Sequence, residues 1–325
     1  MIRDSDLDAA VSQNIISAEQ ASKLREIAQA RVRKPRETNE RFVVVNNLAE
    51  LFISIGQILF FVALALAGGV IGIAISVVAG WAMAEFFARH RNMRWPAIVG
   101  SIAAALCAGW LVFVLIGGFE KNSWQSNLLL PYLAALISIG FAIWRYRLPF
   151  LALPLACSLA GLASTLLPWP REISLVVAGA IALVLAVALD LADRQRMTRK
   201  SAFAFWLYVA GAPLFLHPIY SSLTSPGQST TAMALVLAIA AASCVFGLIL
   251  DRRSPIVASL IYLGVIIAWS ARALALSPSA QTALALFILG IGVMLLGVWW
   301  KQARTALLNL MPSALVRRLP LTEIG

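Results

Sequence analysis

Charge is scarce in this chain. Asp, Glu, Lys and Arg make up 13% of its 325 residues, 61% are hydrophobic, and the mean hydropathy is +0.85. A soluble protein of this length needs far more polar surface, so that class is excluded. Histidine is scarcer still: His90 and His217 are too few for a histidine-ligated metal site. The three cysteines, Cys107, Cys157 and Cys244, fall inside apolar runs and form no CxxC pair. They read as small packing residues, not as disulfide partners or metal ligands. No GxxxxGK[ST], HExxH or GxSxG motif occurs. The segments between the apolar runs are short, which leaves no room for a large catalytic domain outside them. The reading is therefore not an enzyme, with no cofactor.

What the chain has is apolar length. Runs of about 17–25 residues recur, each able to cross roughly 30 Å of hydrocarbon. They are continuous and do not alternate, which excludes a β-barrel. The expected fold is all-α, a polytopic transmembrane bundle of about ten spans. These are placed near 48–67, 69–88, 96–117, 128–144, 149–167, 172–190, 201–219, 231–250, 255–272 and 279–300. Gly68–Gly69 joins the first two as a tight hairpin. Small-residue rows such as Ser101, Ala105 and Gly109 let helices approach closely.

The net charge of +11 does not point to nucleic acid, because the basic residues sit in short loops beside apolar runs, where they contact anionic lipid. The loops alternate sharply. Of the 26 Lys and Arg, 23 lie on one side, and Lys121, Arg171 and Arg272 lie on the other. By the positive-inside rule both termini are cytoplasmic.

Three regions follow: 1–45, a cytoplasmic helical hairpin with a basic collar; 46–300, the transmembrane bundle; and 301–325, a tail. The hairpin's first helix carries Leu7, Ala10 and Val11. "SAEQ", Ser17 to Gln20, has capping-box spacing for the second, which Pro35 ends. In the tail, Trp299 and Trp300 mark the interface. Arg304, Arg317 and Arg318 then alternate with apolar residues, so the tail is expected on the inner leaflet.

Two stretches carry candidate chemistry. "NNLAELFISIGQ" opens the first span with Asn46, Asn47, Glu50, Ser54 and Gln57 within about 100° of one helix face. Lipid cannot satisfy such a stripe, so it faces inward and bonds to a neighbouring helix. Glu85 near the end of the second span lies at a depth close to that of Glu50. One reading has the two carboxylates share a proton or a cation; the other pairs each with a nearby arginine such as Arg41, Arg89 or Arg91. In the seventh span, "GAPLFLHPIYSS" places Pro213, His217 and Pro218 where a broken helix could form a binding site. The same prolines also fit a plain membrane helix.

A weak internal similarity links "VALDLADRQR" (187–196) with "GLILDRRSP" (247–255). It reads either as cations gathered at negative helix ends or as hairpin duplication.

"LDAAVSQNIISAEQASKL" followed by a membrane hairpin resembles the N-terminus of an uncharacterised family of bacterial membrane proteins known as a domain of unknown function. Asn14 stands where that pattern usually has Gly, which a left-handed turn tolerates. The ending "GVWWKQARTALLNLMPSALVRRLP" is similar to the tail of a related family. The resemblance implies a bacterial inner-membrane location and carries no functional residues. The expected function is a membrane scaffold or accessory subunit, with membrane lipids around it and a protein partner at the N-terminal hairpin. The alternative is a secondary transporter coupled to protons or cations through Glu50 and Glu85. The sequence carries no signal for oligomeric state.

Overall fold

The computed structural model describes residues 7, 11–13, 15–24, 48–117, 128–196, 198–223, 230–270, 277–316 and 319. Among them no strand occurs and helices dominate. Chain order gives α1 (Leu48–Ala67), α2 (Gly69–Glu85), α3 (Arg94–Leu115), α4 (Leu129–Tyr146), α5 (Ala152–Leu166) and α6 (Arg171–Ala192). Then come α7 (Arg199–Leu223), α8 (Thr230–Leu250), α9 (Ser254–Ser270), α10 (Pro278–Val298), α11 (Trp300–Asn309) and α12 (Ser313–Val316). Among the described residues nine helices are long and apolar enough to cross a membrane, α2 counted on to His90 and α5 from Pro149, while α9, at 17 residues, is shorter. The protein is a multi-pass α-helical membrane protein.

Of two details at the ends of α2, the first was not expected from sequence and the second sharpens the expected tight hairpin. The helix leaves its last turn through a π-helical turn, Phe86–His90, where His90 stacks on Phe86 at 5.9 Å. At its start the Gly68–Gly69 hairpin is tighter than an apolar break requires. Gly69 takes a φ of +52°, and a Cβ on Gly72 would sit 2.1 Å from the Leu64 carbonyl. No larger residue fits there, so α1 and α2 touch backbone to backbone.

Close backbone approach also builds the two central hairpins. A Cβ on Gly80 would lie 2.8 Å from the Gly100 carbonyl, which locks α2 against α3. A Cβ on Gly179 would lie 2.4 Å from the Phe215 amide, which locks α6 against α7. Around these contacts two groups form. In the first, α3 touches α1, α2 and α4; in the second, α7 touches α5, α6, α8 and α9. Accordingly α3 and α7 are the most buried spans. The small-residue row of α3 is used as its composition implies: Ser101, Ala105 and Gly109 are all buried, with Gly109 against Pro131 of α4.

The groups meet through α5 and the 3-10 turn before it, Pro149–Leu151. Phe150 in that turn stacks edge-on to Trp206 of α7 at 4.4 Å and to Trp95 of α3 at 5.9 Å. Helix α10 is the least enclosed span, with its large apolar residues turned outward.

The capping box forms as its spacing dictates. Gln20 N–H donates to Ser17 Oγ at 3.1 Å, and Ser17 N–H donates to Gln20 Oε1 at 2.8 Å. Residues 1–6, 8–10, Asn14 and 25–47, the basic collar, Asn46 and Asn47 included, lie outside the described residues.

Candidate functional site

Helix α1 turns its polar stripe inward. Glu50, Ser54 and Gln57 are 8%, 7% and 5% exposed, and Phe61 continues the same face. Leu51, Phe52, Ile55 and Ile58 on the other face are exposed. The packed neighbours of α1 are α2 and α3.

The bonding within the stripe differs from what the sequence led us to expect. Among the described residues, no hydrogen bond from Glu50, Ser54 or Gln57 reaches another helix. Ser54 donates to the Glu50 carbonyl of its own helix at 2.7 Å. Ser76 of α2 and Ser101 of α3 do the same, to Gly72 and Ala97, both at 2.8 Å. Serine reaches back one turn because its hydroxyl lies within range of the i−4 carbonyl. The Gln57 amide is too long for that, and both its nitrogen and its oxygen are buried without a hydrogen-bond partner.

Glu85 is occupied elsewhere. It takes a two-pronged contact from Arg145 of α4, with Nη2 to Oε1 at 2.7 Å and Nε to Oε2 at 3.3 Å. Arg89, one turn on in the π-helical segment, adds a contact at 3.4 Å. No hydrogen bond or ion pair joins Glu85 to Glu50. The carboxylate-pair reading of these two residues has no geometry behind it, since a bidentate guanidinium holds one partner.

Pro213, His217 and Pro218 do not interrupt α7, which runs unbroken from Arg199 to Leu223. The broken-helix expectation is corrected here: the helix is packed against α5, α6, α8 and α9, and that support outweighs two missing N–H donors. Pro218 is buried, and Pro213 and His217 are exposed on the flank of the bundle. His217 Nδ1 contacts the Tyr262 hydroxyl of α9, and Tyr262 stacks on the buried Tyr220 at 4.5 Å.

The richest polar site is one that sequence reading did not assemble. The two similar segments, 187–196 and 247–255, exchange ion pairs. Asp190, fully buried, takes Arg252 Nη2 at 2.6 Å and Nε at 2.9 Å. In return Arg196 reaches Asp251 Oδ2 at 3.4 Å and the Leu250 carbonyl at 2.7 Å. Arg252 also donates to Ser201, at 2.9 Å to Oγ, and lies over the Tyr208 ring at 5.7 Å. Asp193 binds the Thr198 hydroxyl at 2.6 Å, which fixes the turn between α6 and α7.

The tail completes this clasp. Trp300, expected at the lipid interface, is instead buried and donates its indole N–H to Asp251 at 2.8 Å. Arg304, read as interfacial, is also buried and donates to the Leu248 carbonyl at 3.0 Å. Burial pulls its guanidinium below the ordinary value while Asp251 holds it up. Arg194 reaches the Leu319 carbonyl at 3.2 Å. The cause is pairing across loops: α8 ends where α11 begins to pack, so the cations bond to protein. The signal was in the sequence as the recurring Asp-Arg spacing, but nothing there said the two copies meet.

These features define a class: a multi-pass helical bundle whose second helix group is tied at one end by a clasp of buried ion pairs. Among the described residues, no group of three or more His, Cys, Asp or Glu could hold a metal ion. No protein-family model matches the chain, and no curated protein or solved structure gives a significant match.

Proposed function

We propose that the protein is a membrane scaffold or accessory subunit of the bacterial inner membrane, with both termini cytoplasmic. It would belong to the uncharacterised membrane-protein family that its N-terminal and C-terminal segments resemble. The observation that carries this reading is the state of three acidic residues at helix ends. Glu85 is bound by Arg145 and Arg89, Asp190 by Arg252, and Asp251 by Arg196 and Trp300. Carboxylates held this way join helices, and an ion-coupled carrier needs them released in each cycle. The 23-to-3 division of basic residues supports the orientation.

The partner surface in this reading is the N-terminal hairpin. Ile15 and Leu24 there are 69% and 44% exposed, which gives a capped short helix an apolar side to offer. The test is a photo-crosslinking residue placed at Ile15 or Leu24 in cells. One discrete adduct at both positions is expected, with none at the polar control Glu19. Equal, diffuse crosslinking at all three would count against the scaffold reading.

A further inference from the structure

Helices α5, α6 and α7 frame a groove of about 270 Å³, lined by Leu153, Cys157, Leu175, Val209, Pro213 and His217 among others. It exists because Cys157 and Ala210 are small where the three helices converge. The lining is almost wholly apolar. Along α7 it runs from Val209 to Pro218, which is about 14 Å of helical rise. Half of a hydrocarbon core of roughly 30 Å is about 15 Å, so the groove is one leaflet long. Its lining residues Cys157, Pro213 and His217 are themselves exposed, so it opens on the flank that membrane hydrocarbon covers.

One end of the groove is charged. Leu175 lies on the same row of α6 as Arg171, one turn nearer the helix start. Helical side chains lean toward the N-terminus, so Arg171 extends past the mouth of the groove. Arg171 is exposed, and it heads a 22-residue helix whose N-cap, Pro170, supplies no side-chain acceptor. The positive end of the helix dipole therefore adds to the guanidinium. Glu172, also exposed, is turned about 100° away around the helix. Trp169, 46% exposed, sits at the same end, where amphipathic rings meet headgroups.

We infer that this groove is a phospholipid site. One acyl chain lies along α7 between α5 and α6, and the lipid phosphate binds Arg171 at the start of α6. The exposed Pro213 and His217 then form part of the chain's bed. The inference stands apart from the scaffold reading, since a lipid held here stabilises the bundle whatever the bundle does.

The test is native mass spectrometry of the full chain, released from nanodiscs of phosphatidylethanolamine and phosphatidylglycerol with matched acyl chains. The wild type is expected to keep one phospholipid after the surrounding lipid is stripped. Cys157→Trp, which fills the groove, and Arg171→Glu should each lower that occupancy by about tenfold, the order expected for one lost charge-assisted contact. Arg171→Lys should retain it. A diacylglycerol with the same chains lacks the phosphate and should not be retained. If Cys157→Trp fails to fold, Arg171→Glu decides, because an exposed helix end tolerates the change. Equal retention by wild type and Arg171→Glu, or retention of diacylglycerol as firmly as phospholipid, would overturn the inference.

Discussion

Ser54 and Gln57 lie on one buried face of α1, yet their polar atoms end differently: the hydroxyl bonds to its own helix and the amide bonds to nothing. A buried amide without partners costs about 1–3 kcal/mol relative to an apolar group of similar shape. Gln57→Leu is therefore expected to raise the thermal midpoint of the purified protein in mild detergent. A fall would mean that the amide has a bound partner of its own. Asp190 is the opposite case. Removing its charge by Asp190→Ala strands Arg252 in the interior, at a cost of about 3–5 kcal/mol. The double variant Asp190→Leu with Arg252→Met should recover most of that loss, because an apolar pair replaces the ion pair without leaving a charge. Unfolding in detergent reads both. A double variant no better than the single one would show that Ser201 and Tyr208 depend on the guanidinium itself. The inward direction of the α1 stripe was legible from helical periodicity; the partner of Asp190 was not, since it lies 62 positions away in another loop.

At the scale of elements, hydrocarbon sets which helices form and small residues set how they pack. Run length alone placed the spans, and Gly68–Gly69 placed the first hairpin. The continuity of α7 could not be read, because it depends on four packed neighbours and the sequence gives only the two prolines. The same holds for Glu85, whose two-pronged partner Arg145 belongs to a helix two elements later. Close approach makes a sharp contrast between glycines. Gly179→Ala pushes a methyl into the Phe215 backbone and should cost about 1–3 kcal/mol or more, as overpacking does. Gly290→Ala meets nothing within 4 Å and should be neutral or slightly stabilising, since alanine favours helix. Parallel melting curves of the two variants check this. Equal losses would mean that α10 has a packed face in solution.

For the whole molecule, the clasp ties the two loops and the tail into one unit at the basic end. The aromatic chain Trp95–Phe150–Trp206 joins the two helix groups. Trp300→Phe keeps the ring and removes the N–H that Asp251 accepts, so limited proteolysis should cut faster after Lys301 in that variant. Unchanged cleavage would show that the tail is held by Arg304 and apolar packing alone. The α1 stripe packs against α2 and α3, apart from the clasp, and its access to water is where a scaffold and an ion-coupled carrier part. The decisive measurement is cysteine accessibility. Ser54→Cys in a background without Cys107, Cys157 and Cys244 is treated with a membrane-impermeant maleimide from each side of sealed vesicles, with and without an imposed proton or sodium gradient. The expected result is no labelling from either side above a buried control at Ala104 under any condition. Labelling from one side that rises or switches with the gradient would contradict a closed scaffold and establish a water-accessible path along Glu50, Ser54 and Gln57.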